Sequence, residues 1–305
     1  MDLALSHLRA LGAVARHGSF SRAAAELRLT QPAVSMQIRQ LEDRVGLPLL
    51  DRVGKRATPT EAGELLLAHA ARAFQELEAG IERVSRLRGV VAGRLRIGTS
   101  ASVSIYLLPP LLRRFRQRYP ETEMVIVTGN ASDIVRAIAA NDLDVGVVSL
   151  PVRARELSVS PFYRDELVAI ASPRSPWRAR RSVTPRDLAA EPLILFERGA
   201  TLRRVIDAWF QRGGAPPSRV MEMGNTEAIK KLVQAGLGLS VTSWFSAKPE
   251  AVRRALVALP LVPALYRELG VVRRRDKTLT PALDAFLEAL DELRATLAKD
   301  RRPAR

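Results

Sequence analysis

Hydrophobic positions fall into three regimes along the chain. Between residues 3 and 17, Leu5, Leu8, Leu11 and Ala15 recur at helical spacing, and the run stops at Gly18. Ser19 can cap a second helix, Phe20 to Leu27, whose small face of Ala23, Ala24 and Leu27 suits close packing. After a turn at Arg28-Leu29, Thr30 can cap a third helix. Pro32 is tolerated in its first turn, because the N–H it lacks would be unpaired there. Val34, Ile38, Leu41 and Val45 make the inward stripe of this third helix, which leaves Gln31, Ser35, Met36, Gln37, Arg39 and Gln40 on outward or flanking faces. Beyond Gly46, the stretch LPLLDRVGKRATPTEAG predicts two short extended pieces around Val53-Gly54-Lys55, a β-wing.

The second regime is one long helix from Thr60 to about Arg88. Leu67, Ala70, Phe74, Leu77, Ile81, Val84 and Leu87 alternate at threes and fours, the spacing of a coiled-coil seam, with Glu76, Glu78, Glu82, Arg83 and Arg86 alongside. A single helix packed on its own domain would show a similar stripe. GVVAG at 89–93 reads as a hinge.

From Arg94 the pattern switches to alternating strands and helices: LRIG, a helix from Val103 to Arg118, MVIVT, a helix from Ile134 to Ala140, then DVGVV. That order predicts a parallel sheet with right-handed crossovers. A second unit follows Leu150-Pro151, with strands ELVAIA, LILF, RVMEM and LGLSVTS and helices around Arg203 to Phe210 and Glu227 to Ala235. A late strand near LGVVRR and a helix from Ala282 to Leu297 return to the first unit. Two α/β lobes joined by crossing segments leave a cleft between strand ends, where such sheets hold ligands.

Composition narrows the chemistry. With 305 residues, 47% hydrophobic, the chain is long enough for two or three domains, and it opens without a signal-peptide pattern or an apolar run of membrane-spanning length. Cysteine is absent, which excludes disulfides and thiolate metal sites and fits the cytoplasm. The net charge of +16 suggests a polyanionic partner, although an arginine-rich composition explains it equally well: Arg178, Arg180, Arg181, Arg273, Arg274, Arg275, Arg301 and Arg302 spread it along the chain. His7, His17 and His69 are the only histidines, so the two-lobed part lacks the commonest general base and metal ligand. An enzyme is therefore disfavoured, and no metal site or cofactor is expected.

Glutamine, serine and arginine on the exposed face of a second tandem helix can reach base edges and phosphates in a major groove. A small helical bundle with a solvated face would show the same spacing. Arg52, Lys55 and Arg56 cluster at the wing, where they can touch phosphates, or simply solubilise a loop. The segment FSRAAAELRLTQPAVSMQIRQLEDRVGLPLLDRVGKRATPTEAG resembles the winged helix-turn-helix of LysR-type transcriptional regulators across more than forty residues without a gap. Its landmarks are SRAA, LTQPAVS, the LE pair, G-x-P-L-L and T-x-A-G. Leu50 stands where phenylalanine is commoner, and Met36 where a small or polar residue is frequent. The two-lobed part also resembles that family's effector domain, through GRLRIGTS, Leu108-Pro109, DVGVV and GNTEAIKKLVQAGLGLS.

The resemblance implies an α/β protein with an N-terminal winged helix-turn-helix (1–60), a linker and dimerisation helix with hinge (61–92), and an effector domain of two Rossmann-like lobes (93–305). Lobe I covers about 93–162 and 265–300, lobe II about 163–264. By position, it implies DNA contact at Gln31, Pro32, Ser35 and Met36 and at Arg52 and Arg56 on the wing, and the exposed-face and wing-tip readings add Gln37, Arg39 and Lys55. Partners are then double-stranded DNA, a second copy of the chain, the tetramer usual for the family, and RNA polymerase.

For the cleft, Thr99, Ser100, Ser102, Ser149, Gly199, Thr201, Arg203, Asn225 and Thr226 lie at helix starts or strand ends, where hydroxyls and free N–H groups suit an oxyanion or carboxylate. Each taken singly reads equally as a helix cap. The expected effector is an inorganic oxyanion or small carboxylate, with a phosphorylated sugar also compatible. Competing functions are a regulator that needs no ligand and a small-anion-binding protein without a DNA role.

Overall fold

In the computed structural model, which describes residues 4–53, 56–86 and 91–299, three helices open the chain: α1 (Leu5–His17), α2 (Phe20–Leu27) and α3 (Gln31–Val45). Each boundary has a local cause. Gly18 ends α1 in the left-handed conformation (φ 61°), and its N–H returns to the Val14 carbonyl. Ser19 Oγ accepts from the Arg22 N–H, and Thr30 Oγ1 accepts from the Ala33 N–H. Leu8, Leu11, Val14, Ala23, Ala24, Val34, Ile38 and Leu41 close into one cluster. Val45, expected on the inward stripe, is instead 38% exposed, because the last turn of α3 overshoots that cluster and Leu49 and Leu50 complete it.

Strands β1 (Leu50–Val53) and β2 (Arg56–Pro59) pair antiparallel as the wing, and α4 (Glu61–Arg86) follows. The join is tight. Thr60 Oγ1 donates to the Pro48 carbonyl at 2.8 Å and accepts from the Gly63 N–H at 3.0 Å. A Cβ at Gly63 would lie 2.0 Å from the Leu49 carbonyl oxygen, so only glycine allows the first turn of α4 to cross there. The start of the expected coiled-coil seam is used locally: Leu67, Ala70 and Phe74 pack on the helical head. Leu77, Ile81 and Val84 are 49%, 68% and 62% exposed. Leu87, and Gly89 and Val90 of the expected hinge, lie outside the described residues.

The chain divides into two compact units, with the boundary between Ile81 and Glu82. The second contains β3 (Gly93–Thr99), α5 (Ala101–Tyr106), α6 (Pro109–Arg118), β4 (Thr122–Thr128), α7 (Ala131–Ala139), β5 (Val145–Ser149) and β6 (Leu157–Ala171). It continues with α8 (Pro185–Ala189), β7 (Leu193–Phe196), α9 (Thr201–Arg212), β8 (Val220–Met223), α10 (Thr226–Gln234), β9 (Ser240–Ser243), α11 (Trp244–Val252), β10 (Val257–Arg274) and α12 (Pro281–Lys299). The helix expected from Val103 to Arg118 is two helices. Pro109 and Pro110 cannot donate the backbone hydrogen bonds that continuation requires, and they start α6 afresh.

Six strands form one sheet in the order β4-β3-β5-β10-β6-β9. β3 runs parallel to β4 and β5 as the β-α-β order predicts, but β10 enters antiparallel to both β5 and β6, so the sheet is mixed. The late strand expected near LGVVRR extends over 18 residues and is one of two long ribbons that serve both lobes. Phe162 and Leu269 belong to the lobe I core with Ile97, Phe115 and Phe286. Leu167 and Leu265 belong to the lobe II core with Ile206, Trp209 and Phe210. The lobes therefore meet between those positions, at Asp165 and Arg267, which are directly paired across the ladder. β7 and β8 form a small parallel sheet in lobe II.

Lobe I is fastened by Asp144. Its carboxylate takes the Arg96 N–H at 2.7 Å, the Arg96 guanidinium at 3.0 Å and the Lys277 ammonium at 2.7 Å. Burial opposes its ionisation, but Arg96 and Lys277 outweigh it and hold the carboxyl below its usual 3.8. The stability it contributes is therefore complete above pH 3.8 and is lost as pH falls through the lower folded value. Asp144→Asn would leave Lys277 buried without its carboxylate and cost about 3 kcal/mol in urea unfolding at neutral pH. The variant's stability would also fall less steeply than the parent's as pH drops below 3.8.

Candidate DNA-reading surface and effector cleft

The exposed side of α3 carries Gln31, Pro32, Met36, Arg39 and Gln40, while Val34, Ile38 and Leu41 hold the other side in the core. Gln31 Nε2 donates to Ser35 Oγ at 3.1 Å, so the two side chains most suited to base edges are already oriented together on one turn. Met36 is 58% exposed and offers an apolar surface of the kind that meets a thymine methyl. Gln37 differs from expectation: it is half-buried, with Oε1 buried and lacking a hydrogen-bond partner. Its position leans toward the head rather than away from it.

On the wing, Val53 pairs with Arg56 at the turn, and the Arg56 side chain is exposed. Arg52 is a β1 residue opposite Ala57. Lys55 lies outside the described residues. What fixes the wing to α3 is Glu42, whose Oε1 accepts from the Leu49 N–H at 2.8 Å and the Leu50 N–H at 3.2 Å. The LE pair noted in the sequence thus has a division of labour: Leu41 packs inward and Glu42 receives the start of β1.

In the second unit a cavity of about 340 Å³ opens between the lobes. Of the residues expected there, Ser100, Ser102, Ser149, Thr201 and Thr226 line it. Four do not. Thr99 is fully buried behind the wall, its Oγ1 donating to the Val147 carbonyl at 2.7 Å. Arg203 is 6% exposed and turned away, with Nε on Asp207 at 2.8 Å and Nη1 on the Phe196 carbonyl at 2.7 Å and on Glu222 at 3.1 Å. Gly199 accompanies it on the far side of α9. Asn225 spends its Oδ1 on the Glu227 and Ala228 N–H groups, capping α10. Helix starts supply hydroxyls to the cleft, but Asn225 is spent as a cap and Arg203 on carboxylates and a carbonyl of its own lobe.

Sequence reasoning missed Thr128, Asn130, Glu197 and, above all, Arg267. Arg267 is 4% exposed at the cleft floor. Its Nε and Nη2 donate to Asp165 Oδ2 at 3.0 and 2.6 Å, and its Nη1 donates to Ser102 Oγ at 3.2 Å. Asp165 Oδ1 accepts from Ser243 Oγ at 2.9 Å. Burial raises the Asp165 carboxyl above its ordinary range, opposed by Arg267 and Ser243. Every one of these bonds reaches Asp165 from a donor, the pattern of a carboxylate. A sign of Arg267 was present in the sequence: within β10 it occupies the inward phase of Leu265 and Leu269, where a charged residue needs a partner. The N-termini of α7, α9 and α10 also meet the cavity at Ala131, Thr201 and Thr226, adding partial positive charge without a mobile cation.

Both units match known families. Residues 5–64 match the description "Bacterial regulatory helix-turn-helix protein, lysR family", and residues 88–295 match "LysR substrate binding domain". A RuBisCO operon transcriptional regulator of Allochromatium vinosum is 37% identical over 94% of this chain and 95% of its own length. The regulator YeiE of Escherichia coli, named as uncharacterized, is 36% identical over 95% of this chain and 98% of its own. Among solved structures, full-length OxyR of Pseudomonas aeruginosa superposes with a TM-score of 0.77 at 22% identity, covering 100% of this chain and 99% of that one. CbnR, solved in complex with its target DNA, gives 0.66 at 23% identity, covering 95% and 99%. With a capped reading helix and wing, a hydroxyl-lined cleft between two α/β lobes, and both family matches in this order, the chain belongs to the LysR family of DNA-binding transcriptional regulators with an effector-binding domain.

Proposed function

We propose that this regulator reads its operator through Gln31, Ser35 and Arg39 of α3, with the wing arginines on the phosphates, and that a small anion in the cleft sets how its paired heads bind or bend DNA. The observation that carries the effector half is the cleft lining: hydroxyls from both lobes converge with a buried arginine on one half-open cleft. A ligand that touches both lobes favours one lobe arrangement over another by its difference in affinity for the two, and only that difference can shift the DNA-bound state.

Dimerisation follows from α4. Leu77, Ile81 and Val84 lie at i, i+4 and i+7 on one stripe and expose apolar surface that a second copy of the helix would cover. Two reading helices then meet successive half-sites of a near-palindromic operator. A tetramer of two such dimers, contact with RNA polymerase and residence in the cytoplasm complete the reading. Among the described residues no helix is long and apolar enough to cross a membrane.

Three outcomes are expected. Ser35→Ala or Gln31→Ala should cost about 1–3 kcal/mol on the specific site and relax base preference locally, while Arg56→Ala should weaken all duplexes alike and lower the salt slope by about one. Salt titrations on specific and random duplexes separate the two classes, and identical behaviour would contradict the division. Ile81→Glu should shift sedimentation toward the monomer and weaken operator binding more than half-site binding; an unchanged association state would remove the seam. Footprints of the chain's own upstream region should change in extent or bending when small anions are added. Protection indifferent to every anion would leave a regulator that works without a ligand.

A further inference from the structure

Resting on the anion reading of the cleft, we propose that its effector is not an inorganic oxyanion but a small organic acid that also carries a hydrogen-bond donor, a hydroxyl or an ammonium group, received by Glu197. Size is the first argument. The cavity holds about 340 Å³, the range of sites for organic ligands. A single tetrahedral oxyanion would occupy only a small part of this half-open cleft and leave the rest to solvent.

Charge is the second argument. The buried Arg267 would be a strong anion anchor if its charge were free, but Asp165 takes two of its donors and cancels that charge at the cleft floor. Asp133, on the rim, is paired with Arg136 at 2.5 Å. Glu197 is different. It lines the cleft immediately after β7, and none of the ion pairs among the described residues includes it, whereas its neighbour Arg198 is committed to Glu222 at 3.2 Å. The lining thus presents one uncompensated negative charge. An anion held by hydroxyls and helix amides must share the cavity with it, which favours a ligand whose second group donates to a carboxylate.

The backbone makes room for this carboxylate. Gly224, just before the cap of α10, lies beneath it, and a Cβ there would come within 3.3–3.4 Å of the Glu197 carboxyl group. Glu197 and Thr226 therefore belong to the lobe II side of the cleft, and Ser100 and Ser102 to the lobe I side. A ligand with an acid at one end and a donor at the other engages both sides at once. An oxyanion alone satisfies only the hydroxyls.

The test is calorimetric titration of the full-length protein with a matched set of probes. Acetate and sulfate carry the acid alone, ethanolamine the donor alone, glycerate and glycerol 3-phosphate an acid with hydroxyls, and serine an acid with an ammonium and a hydroxyl. At least one of the last three should bind tenfold or more tighter than acetate and sulfate. Glu197→Gln should abolish that advantage and leave acetate and sulfate binding unchanged or improved. Glycerate against serine tells which donor is preferred. Equal affinity for sulfate and the two-group probes, or a two-group advantage that survives Glu197→Gln, overturns the proposal while sparing the anion reading. Binding of ethanolamine alone, or of no probe at all, overturns both.

Discussion

The Asp165–Arg267 pair is the constraint around which the effector unit is arranged. The two residues face each other across β6 and β10, the strands that pass through both lobes, and each is almost completely removed from solvent. Two charges in such a place are tolerated only together, since either alone would bear a desolvation cost of several kcal/mol. Together they mark where the lobe I core gives way to the lobe II core, and they put a guanidinium at the cleft floor whose Nη1 is directed at Ser102. The cleft is therefore polar and oriented, yet nearly neutral at its floor. For the small anion we propose there, recognition would fall to hydroxyls and helix amides, which select by geometry more than by charge.

The head solves a different problem. Its reading helix must keep a polar face bare, so its position has to be secured from the other side and from its ends. Thr30 caps the start, Gly46 ends it, and Glu42 receives two N–H groups from the wing. Thr60 and Gly63 then seat α4 over the Leu49 carbonyl. Each contact uses a short-range backbone partner, which is why the run from Ser19 to Gly63 reads so clearly as one ordered set of landmarks.

The basic excess looks different once the partners are known. Arg203 is buried against Asp207 and Glu222, Arg274 chelates Asp276, Arg275 donates to the Arg155 and Leu157 carbonyls, and Arg219 donates to the Ala190 carbonyl. Much of the arginine complement of the effector unit is thus structural adhesive, satisfying carbonyls and carboxylates between elements. Net charge by itself therefore does not mark where nucleic acid would bind, whereas the exposed polar face of α3 is a confined pattern.

From sequence alone the helices and caps of the head, the alternation of strands and helices, and the family were all legible, because caps, glycine stops and apolar periodicity are written within a few residues of one another. The hydroxyls at Ser100, Ser102, Ser149, Thr201 and Thr226 were legible for the same reason. What only tertiary structure decided involves partners far apart in the chain. The stripe of α4 could not say that Leu67, Ala70 and Phe74 would be spent on its own head while Ile81 stayed bare. No local rule separates Thr226, which faces the cavity, from its neighbour Asn225, which is consumed as a cap. Arg267 and Asp165 stand 102 positions apart, and their meeting depends on the register of two long antiparallel strands. Backbone preferences act over one or two helical turns, whereas the direction a buried charge takes is settled by whichever counter-charge the folded sheet brings opposite it.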